Sequence, residues 1–347
     1  MKMEDFNSFK FINYEKPLID VFNNFTQAGK IHKLVRTKVL DHLKPNTSLL
    51  DLSNFIEQTI RDTLEKEYDG KLPCGVGFPV GLSINECAAH WTPNPGEKRT
   101  LKSDDLIKID YGVHIDGCIA DSAFTFSFDE KFNELIKVSE ETTSLAIKLS
   151  GVDAILGEIG RDVQEFIESK EIEINGKSFL LNSFKDLTGH KIMRYMIHAE
   201  KCVPNFAIEY PMRMEENEFY AIETFPSTGR GRANEGLECS HYQINTQQVI
   251  KEFNEIKEKG KISNPIRLDG REKYLFHRIL EDRQTLPFCK KWLKEYKMGK
   301  YQIPLNGLVR KNKVKSFPPV NDIKGSYVAQ TEHTIFVGEK GVKNLTI

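Results

Sequence analysis

The chain has 347 residues, of which 29% are charged and 39% are hydrophobic, and its formal net charge is -1. A charge so near zero provides no overall field for nucleic acid or an anionic membrane surface, and no run of about 18 apolar residues could span a bilayer. The length exceeds that of most single-core domains, so one large domain with an insertion, or two domains, is expected.

The cysteines and the N-terminal segment indicate a cytoplasmic location. None of the six cysteines forms a CxxC pair, which argues against a zinc ribbon or a thioredoxin-type site. The first residues, MKMEDFNSFKFINYEKP, lack the apolar stretch of a secretory signal. We therefore expect reduced thiols in a cytoplasmic protein.

In chain order, helices and strands alternate. Apolar residues at helical spacing predict helices over residues 17–44, 48–65, 133–149 and 163–169. Residues 71–92 are rich in glycine and proline and predict irregular loops with short strands. Strand-like runs cover residues 106–114, 118–127, 218–225 and 326–337. The mixture predicts an α+β fold with a mostly antiparallel sheet covered by helices.

Residues 248–312 differ from the rest in composition. The segment is rich in lysine, and its apolar spacing predicts helices over residues 272–282 and 288–296. We interpret it as an inserted helical subdomain within a single catalytic domain that covers residues 1–347.

The strongest chemical signal is a predicted hairpin over residues 105–124. Asp116 and Gly117 lie between two β-prone runs and form a good two-residue turn. With that turn, position 110 faces position 123, and Asp121 lies two residues before 123 on the same strand face. Asp110 and Asp121 become diagonal neighbours, roughly 7 Å apart at the backbone. Their carboxylates could share a pair of metal ions.

Two solvent-facing aspartates on an ordinary hairpin are the alternative. The neighbouring residues are apolar, however, and buried carboxylates need partners. Further oxygen and nitrogen ligands follow at His190 in a glycine-containing loop and at Glu223 and Glu332 in apolar strands. A set of carboxylates with one histidine favours Mn, Co, Fe or Zn over a thiolate site.

Several long motifs occur in the order of one known family. Residues 105–121 fit D-L-x-K-I-D-x-G-x-H-I-D-G-x-x-x-D. Matching segments lie before it at 77–96 and after it at 196–204, 213–231, 238–242 and 322–335. From about residue 12 onward the chain resembles the type 2 methionine aminopeptidases of the pita-bread metallopeptidase superfamily. The resemblance implies the pita-bread fold, two pseudo-twofold halves of antiparallel sheet covered by helices, and the 248–312 insertion distinguishes type 2 from type 1.

The resemblance also implies a site, residue by residue. Two divalent ions (Co, Mn, Fe or Zn) would be held by Asp110, Asp121, His190, Glu223 and Glu332. Asp121 and Glu332 would bridge the ions, Asp110 would serve one of them, and His190 and Glu223 the other. The implied catalytic residues are His90, His198 and Glu223. The implied substrate contacts are Phe78, His90, Ile197, His198 and His241, of which Phe78, Ile197 and His241 form the methionine pocket.

The implied activity is removal of the initiator methionine from the N-termini of nascent polypeptides when the second residue is small. We also expect a monomer without membrane or specific nucleic-acid contacts, and the resemblance implies a His90 that opens the epoxide of fumagillin. One alternative is a proline-specific aminopeptidase of the same superfamily. Another is an inactive relative that binds RNA or protein, although such relatives lose metal ligands and all five are retained here.

The sequence departs from the family at several positions. Met193 replaces a glycine, and Pro287 and Phe317 stand where Ala and Tyr are common. Cys87 matches a cysteine that forms a disulfide in some relatives, but its partner position here is Asn321, so that bond cannot form. The charged N-terminal extension linked to ribosome association is absent, which leaves attachment to the ribosome open.

Overall fold

The computed structural model describes residues 16–236, 238–262 and 266–347. Residues 1–15 of the predicted domain, where the family resemblance begins, and residues 263–265 of the predicted insertion lie outside the described residues. The α-helices are α1 (Leu18–His42), α2 (Leu49–Glu67), α3 (Asn133–Leu149), α4 (Leu156–Glu168), α5 (Thr246–Lys259), α6 (Gly270–Arg283), α7 (Lys290–Leu293) and α8 (Gln302–Arg310). Across these ranges, no helix is long and apolar enough to cross a membrane.

Nineteen strands are interspersed with the helices along the described parts of the chain. In the first half they are β1 (Cys74–Val76), β2 (Gly81–Ile84), β3 (Cys87–Ala89), β4 (Ile107–Ile115), β5 (Cys118–Phe126), β6 (Glu171–Ile174) and β7 (Lys177–Leu180). In the second they are β8 (Asn182–Ser183), β9 (Thr188–Ile192), β10 (Cys202–Pro204), β11 (Glu218–Thr224), β12 (Pro226–Ser227), β13 (Asn234–Glu235), β14 (His241–Ile244), β15 (Phe288–Cys289), β16 (Val314–Phe317), β17 (Val320–Asn321), β18 (Thr331–Gly338) and β19 (Gly341–Asn344).

The four helices predicted outside residues 248–312 are confirmed, with one wrong start. The bounds of α3 agree with the prediction, and α2 begins after Ser48, whose side chain accepts a bond from the amide of Asp51. Helix α4 begins at residue 156 rather than 163. Its early turns contain Gly157 and Gly160, where an added Cβ would lie 2.7 and 2.6 Å from backbone oxygens of the 206–210 segment. Close packing requires these glycines, which lower the helix signal of the sequence.

The hairpin prediction is confirmed. Strands β4 and β5 are antiparallel partners, with position 115 opposite 118 and position 110 opposite 123. Asp116 and Gly117 both have positive φ, 52° and 78°, as a type I′ turn requires. Strand β18, by contrast, begins at Thr331 and not at residue 326. The residues before it turn away, because Ser326 closes a turn onto Ile323 and residue 328 forms a bridge with residue 227.

Two antiparallel sheets, one from each half of the chain, meet at a seam. The first has the order β1-β4-β2 with β5 paired to β4, and the second has the order β10-β9-β11-β18-β19. Strands β5 and β18 lie side by side but are joined by hydroxyl groups. Thr334 Oγ1 accepts from the amide of Asp121 and donates to its carbonyl, both at 2.7 Å. Ser122 Oγ donates to the carbonyl of Glu332 at 2.6 Å.

Helices of the predicted insertion share a core with the first half. Leu275 of α6 and Leu305 of α8 belong to the same buried cluster as Ile56 of α2 and Ile109 of β4. The predicted helix over 288–296 is wrong at its start, because residues 288 and 289 form β15 against β14, and a short α7 and a 3-10 turn follow. That the segment is an insertion characteristic of type 2 stays a prediction.

Candidate active site

The five predicted metal ligands each lie on a strand of the two sheets that meet at the seam. Asp110 and Asp121 lie on β4 and β5, His190 on β9, and Glu223 and Glu332 on β11 and β18. Glu223 and Glu332 are directly opposite each other, and Asp121 faces Gly112. Because strand register sets which face each side chain occupies, the five converge on one space.

The distances between these side chains are short. His190 Nε2 lies 3.7 Å from Asp121 Oδ2 and 3.9 Å from Glu223 Oε1. One ligand atom each from Asp121, His190 and Glu332 fall within 4.8 Å of one another. All three of these residues are buried. The arrangement concentrates carboxylate oxygens and one imidazole in a buried cluster.

The electrostatics of this cluster fit bound divalent ions. Burial raises the pKa of Asp110 to about 7. Burial, followed by repulsion from neighbouring carboxylates, raises the pKa values of Asp121, Glu223 and Glu332 well above their ordinary range. The Oδ1 atom of Asp110 is buried and accepts no hydrogen bond from the described residues. Oxygen atoms of this kind, with one imidazole nitrogen, suit hard or borderline cations, which would compensate the crowded negative charge.

Gln330 orients two of these carboxylates and was missed in the sequence. Its Nε2 atom donates to Glu223 Oε2 at 3.1 Å and to Glu332 Oε2 at 3.3 Å. It lies two residues before Glu332, and extended chains place such pairs on one face. That spacing, Gln-x-Glu, was the available signal.

Two histidines lie beside the acidic cluster. His198 is an exposed residue of the cleft lining, and its ring lies 4.4 Å from the ring of His190. His90 follows β3 in a left-handed backbone conformation, with φ of 64°, and its ring lies 5.8 Å from that of Phe317. Burial lowers the pKa of His90 to about 4, so this imidazole is neutral at pH 7. A left-handed non-glycine residue costs conformational energy, which functional sites often carry.

One cleft contains every residue that the sequence analysis assigned to the site. Its lining includes Phe78, His90, Asp110, Asp121, His190, Ile197, His198, Glu223, His241 and Glu332. Pro79, Ala89 and Leu187 also line it and were not identified from the sequence, because apolar residues in loops and short strands carry no chemical signal.

Apolar and aromatic side chains line the same cleft as the carboxylates. Phe78, Ile197, His241 and Pro287 form this part of the lining, which we call the apolar slot. Burial lowers the pKa of His241 to about 3, so its ring is uncharged, and its Nε2 lies 2.5 Å from the hydroxyl of Thr92. A slot of this kind suits an unbranched, polarisable side chain.

The departures from the family pattern fall in different places. Pro287 and Phe317 line the cleft. Met193 is 43% exposed and is absent from the cleft lining. Cys87 and Asn321 are cross-strand partners on β3 and β17, so the cysteine faces an amide, and its thiol is free.

Known proteins resemble this chain in sequence and in fold. Residues 23–253 match the profile of metallopeptidase family M24. The chain is 43% identical over 318 residues to "Methionine aminopeptidase 2" of Schizosaccharomyces pombe, which covers 92% of this chain and 71% of that protein. A structure of a thermophilic Arx1 superposes with a TM-score of 0.78 at 15% identity, over 94% of this chain and 91% of that one. Methionine aminopeptidase from Thermotoga maritima gives 0.61 at 19% identity, over 96% and 98%. The two structures confirm the α+β pita-bread fold.

Proposed function

The chain belongs to metallopeptidase family M24 and, within it, to the methionine aminopeptidase 2 family, and from this premise we propose that it removes N-terminal methionine from newly made proteins whose second residue is small. The observation that carries the proposal is that one cleft is lined both by the carboxylate cluster and by the residues of the apolar slot. The first suits the ions of a metal-dependent hydrolase, and the second suits a thioether side chain.

We assign two divalent ions, drawn from Co, Mn, Fe and Zn, to Asp110, Asp121, His190, Glu223 and Glu332. Asp121 and Glu332, which lie on different sheets and whose carboxylate oxygens come within 4.8 Å of each other, are the proposed bridging ligands. Bound there, such ions supply Lewis acidity, which polarises a carbonyl group and lowers the pKa of water.

Protein groups divide the remaining work. Glu223 is the proposed proton carrier: one carboxylate oxygen takes a proton from the attacking water and returns it to the leaving amine nitrogen. Gln330 Nε2 holds Glu223 Oε2 in place for that transfer. His90 and His198 are the proposed donors to the carbonyl oxygen or the leaving nitrogen as charge develops. A neutral His90, which the lowered pKa ensures, can donate one ring N–H to such an oxygen.

The apolar slot provides the specificity for the first residue. Phe78 and Ile197 supply apolar surface, and the ring of His241, held at the hydroxyl of Thr92, closes the wall. The side chain of the second substrate residue meets the packed surroundings of the carboxylate cluster. A clash with a packed wall costs more than lost contact does, so a bulky second residue should be rejected steeply.

We further propose that the chain acts in the cytoplasm as a single catalytic domain and a monomer, on nascent polypeptides at or near the ribosome. Its substrates are chain termini and not membranes or specific nucleic acids. The near-zero net charge supports this, because neither surface would attract the protein. Sedimentation of the tagged protein with and without ribosomes measures the ribosome contact, and light scattering measures the oligomeric state.

A peptide series tests the proposed activity. We expect the purified, metal-loaded chain to cleave Met-Xaa-Ser-Lys well when Xaa is Gly, Ala, Val or Thr, and poorly when it is Leu or Phe. Peptides with leucine at the first position should be cut slowly, since a hydrophobic slot discriminates by only about 1–3 kcal/mol per methylene. Comparable rates for Phe and Ala would contradict the cramped site.

The same assay separates the alternatives. A proline-specific aminopeptidase would prefer Xaa-Pro peptides to Met-Ala-Ser-Lys. An inactive relative would cleave neither, and elemental analysis of the purified protein would then show no tightly bound divalent metal.

A further inference from the structure

Arg283, at the C-terminal end of α6, connects two chain segments that flank the apolar slot. Its Nη2 atom donates to the carbonyl of Val76 at 2.9 Å and to that of Gly77 at 3.1 Å. The same nitrogen donates to the carbonyl of Pro287 at 3.1 Å. One guanidinium group therefore holds together the end of β1 and the loop before β15, which lie about 210 residues apart in sequence.

Both segments lead directly into slot walls. Gly77 precedes Phe78, and Pro287 is itself a wall residue. The ring of Phe78 lies against Gly112 of β4, where an added Cβ would be 2.4 Å from the ring. Gly112 is the cross-strand partner of Asp121. One side of Phe78 is thus fixed by the strand that pairs with a proposed metal ligand, and the other side depends on the position of the Gly77 carbonyl.

A second set of contacts, from Trp292 and Glu57, holds Arg283 in place. Its guanidinium lies over the ring of Trp292, 4.7 Å from the centroid, and Trp292 Nε1 donates to Glu57 Oε2 of α2 at 3.0 Å. Lys291 adds an ion pair to Glu57 at 2.7 Å. The helical segment 248–312 therefore reaches the slot through a chain of contacts that begins on α2. Lysine could not reproduce this arrangement, because its ammonium group has donors for the carbonyls but no planar group to stack over Trp292.

We propose that Arg283 is a positioning residue that sets the width of the methionine slot by fastening the carbonyls of Val76, Gly77 and Pro287 to one another. The inference deepens the proposed function and rests on it. Arg283 is absent from the cleft lining, so it acts through Phe78 and Pro287 and not by touching substrate. Without it, the two walls separate, and the slot loses its preference for methionine over side chains of other shapes.

The test compares Arg283→Met and Arg283→Lys with the parent chain on Met-, norleucine- and Leu-Ala-Ser-Lys. We expect the ratio of kcat/KM for methionine over leucine to fall about tenfold in both variants, the size of a one-methylene discrimination. The loss should lie mainly in a raised KM for methionine, with kcat and bound metal retained. The matched control is Arg278→Met on the same helix, an exposed arginine 2.9 Å from Glu281, which should leave the ratio unchanged.

Several outcomes would overturn the inference. A lower melting temperature with an unchanged methionine-to-leucine ratio would reduce Arg283 to a structural residue, as would an equal loss on all three peptides. If Arg283→Met does not fold, Trp292→Leu, which removes the stacking surface, must lower the ratio in the same direction, and an unchanged ratio there refutes the inference. A parent chain that fails to cleave Met-Ala-Ser-Lys would instead refute the proposed function.

Discussion

The carboxylates of the cleft and the residues of its apolar slot are carried by different kinds of structure. All five proposed ligands lie on strands whose register sets their facing. Three of the four slot residues, Phe78, Ile197 and Pro287, lie outside the strands and helices, whereas His241 begins β14. His90 follows β3 with a left-handed backbone. Metal coordination tolerates errors of only tenths of an ångström, which paired strands can meet, whereas loops provide surfaces that change with little cost to the fold.

The hydrogen bonds that hold the carboxylates and the apolar slot in place also differ. Around the carboxylates, hydroxyls of Thr334 and Ser122 bond directly to the backbone of ligand residues or their neighbours. Around the apolar slot, long side chains reach across from other elements, as Arg283 does to Gly77. Changes around the carboxylates should therefore alter metal binding and rate, and changes around the slot should alter preference among substrates.

The largest effect should come from removing a ligand. Glu332→Ala and His190→Ala should each lower kcat/KM on Met-Ala-Ser-Lys by about 10³-fold or more, equal to at least roughly 4 kcal/mol of transition-state stabilisation. Glu332→Ala should also lose more metal by elemental analysis, since Glu332 is the proposed bridge. His333→Asn is the matched control, because His333 points away toward Thr346, at 3.0 Å. Full activity in either ligand variant would refute the assignment.

His90 should be the site of covalent labelling by fumagillin. Its ring is neutral at pH 7, because burial lowers its pKa to about 4, and a free ring nitrogen can open an epoxide. Intact mass spectrometry should show one adduct, which peptide mapping places at His90, and His90→Gln should show none. Labelling of another residue would contradict the position assigned to His90. Pro287 and Phe317 should weaken binding without removing the reaction.

A smaller effect is expected at the seam. Thr334→Val keeps the shape of the side chain but leaves the amide of Asp121 without its acceptor. Removing such a supporting bond typically weakens metal affinity by about 10–100-fold. Competition with a chelator measures the affinity. Thr142→Val, a buried threonine that donates to Val138 within α3, is the control and should bind metal like the parent chain. Equal affinities in both variants would show that the seam does not position the ligand.

The smallest effect is expected in the slot. Ile197→Val removes one buried methylene, which costs about 1 kcal/mol, so kcat/KM for methionine peptides should fall roughly fivefold. Metal content should not change. Ile335→Val, in the buried core on β18, is the matched control: it should lower thermal stability and leave kcat/KM intact. Loss of metal in the Ile197 variant would contradict the expectation that changes in the slot alter substrate preference and not metal binding.

Local sequence patterns correctly predicted the hairpin that carries Asp110 and Asp121. A two-residue turn and the period of two fix the relation of Asp110 to Asp121 without any tertiary information. Sequence alone also singled out His190 in a glycine-containing loop and Glu223 and Glu332 in apolar strands. Their assembly with Asp110 and Asp121 into one ligand set came from family resemblance, because no pattern links residue 121 to residue 332. Gln330 and Leu187 were missed since their roles depend on which elements pack beside them. The start of α4 was missed because Gly157 serves a close contact with the backbone of residues 208 and 210 and lowers the helix signal of the sequence.

The two sheets can separate at the seam between β5 and β18, where hydroxyl groups join them. Separating the two sheets breaks side-chain bonds there, while the backbone ladders within each sheet stay intact. The seam should therefore be a boundary between cooperative unfolding units. The amide hydrogen of Asp121, which donates to Thr334 across that boundary, should exchange with solvent at a rate that reports separation of the halves. Divalent ions that bridge the boundary should slow its exchange far more than that of amides deep within either sheet.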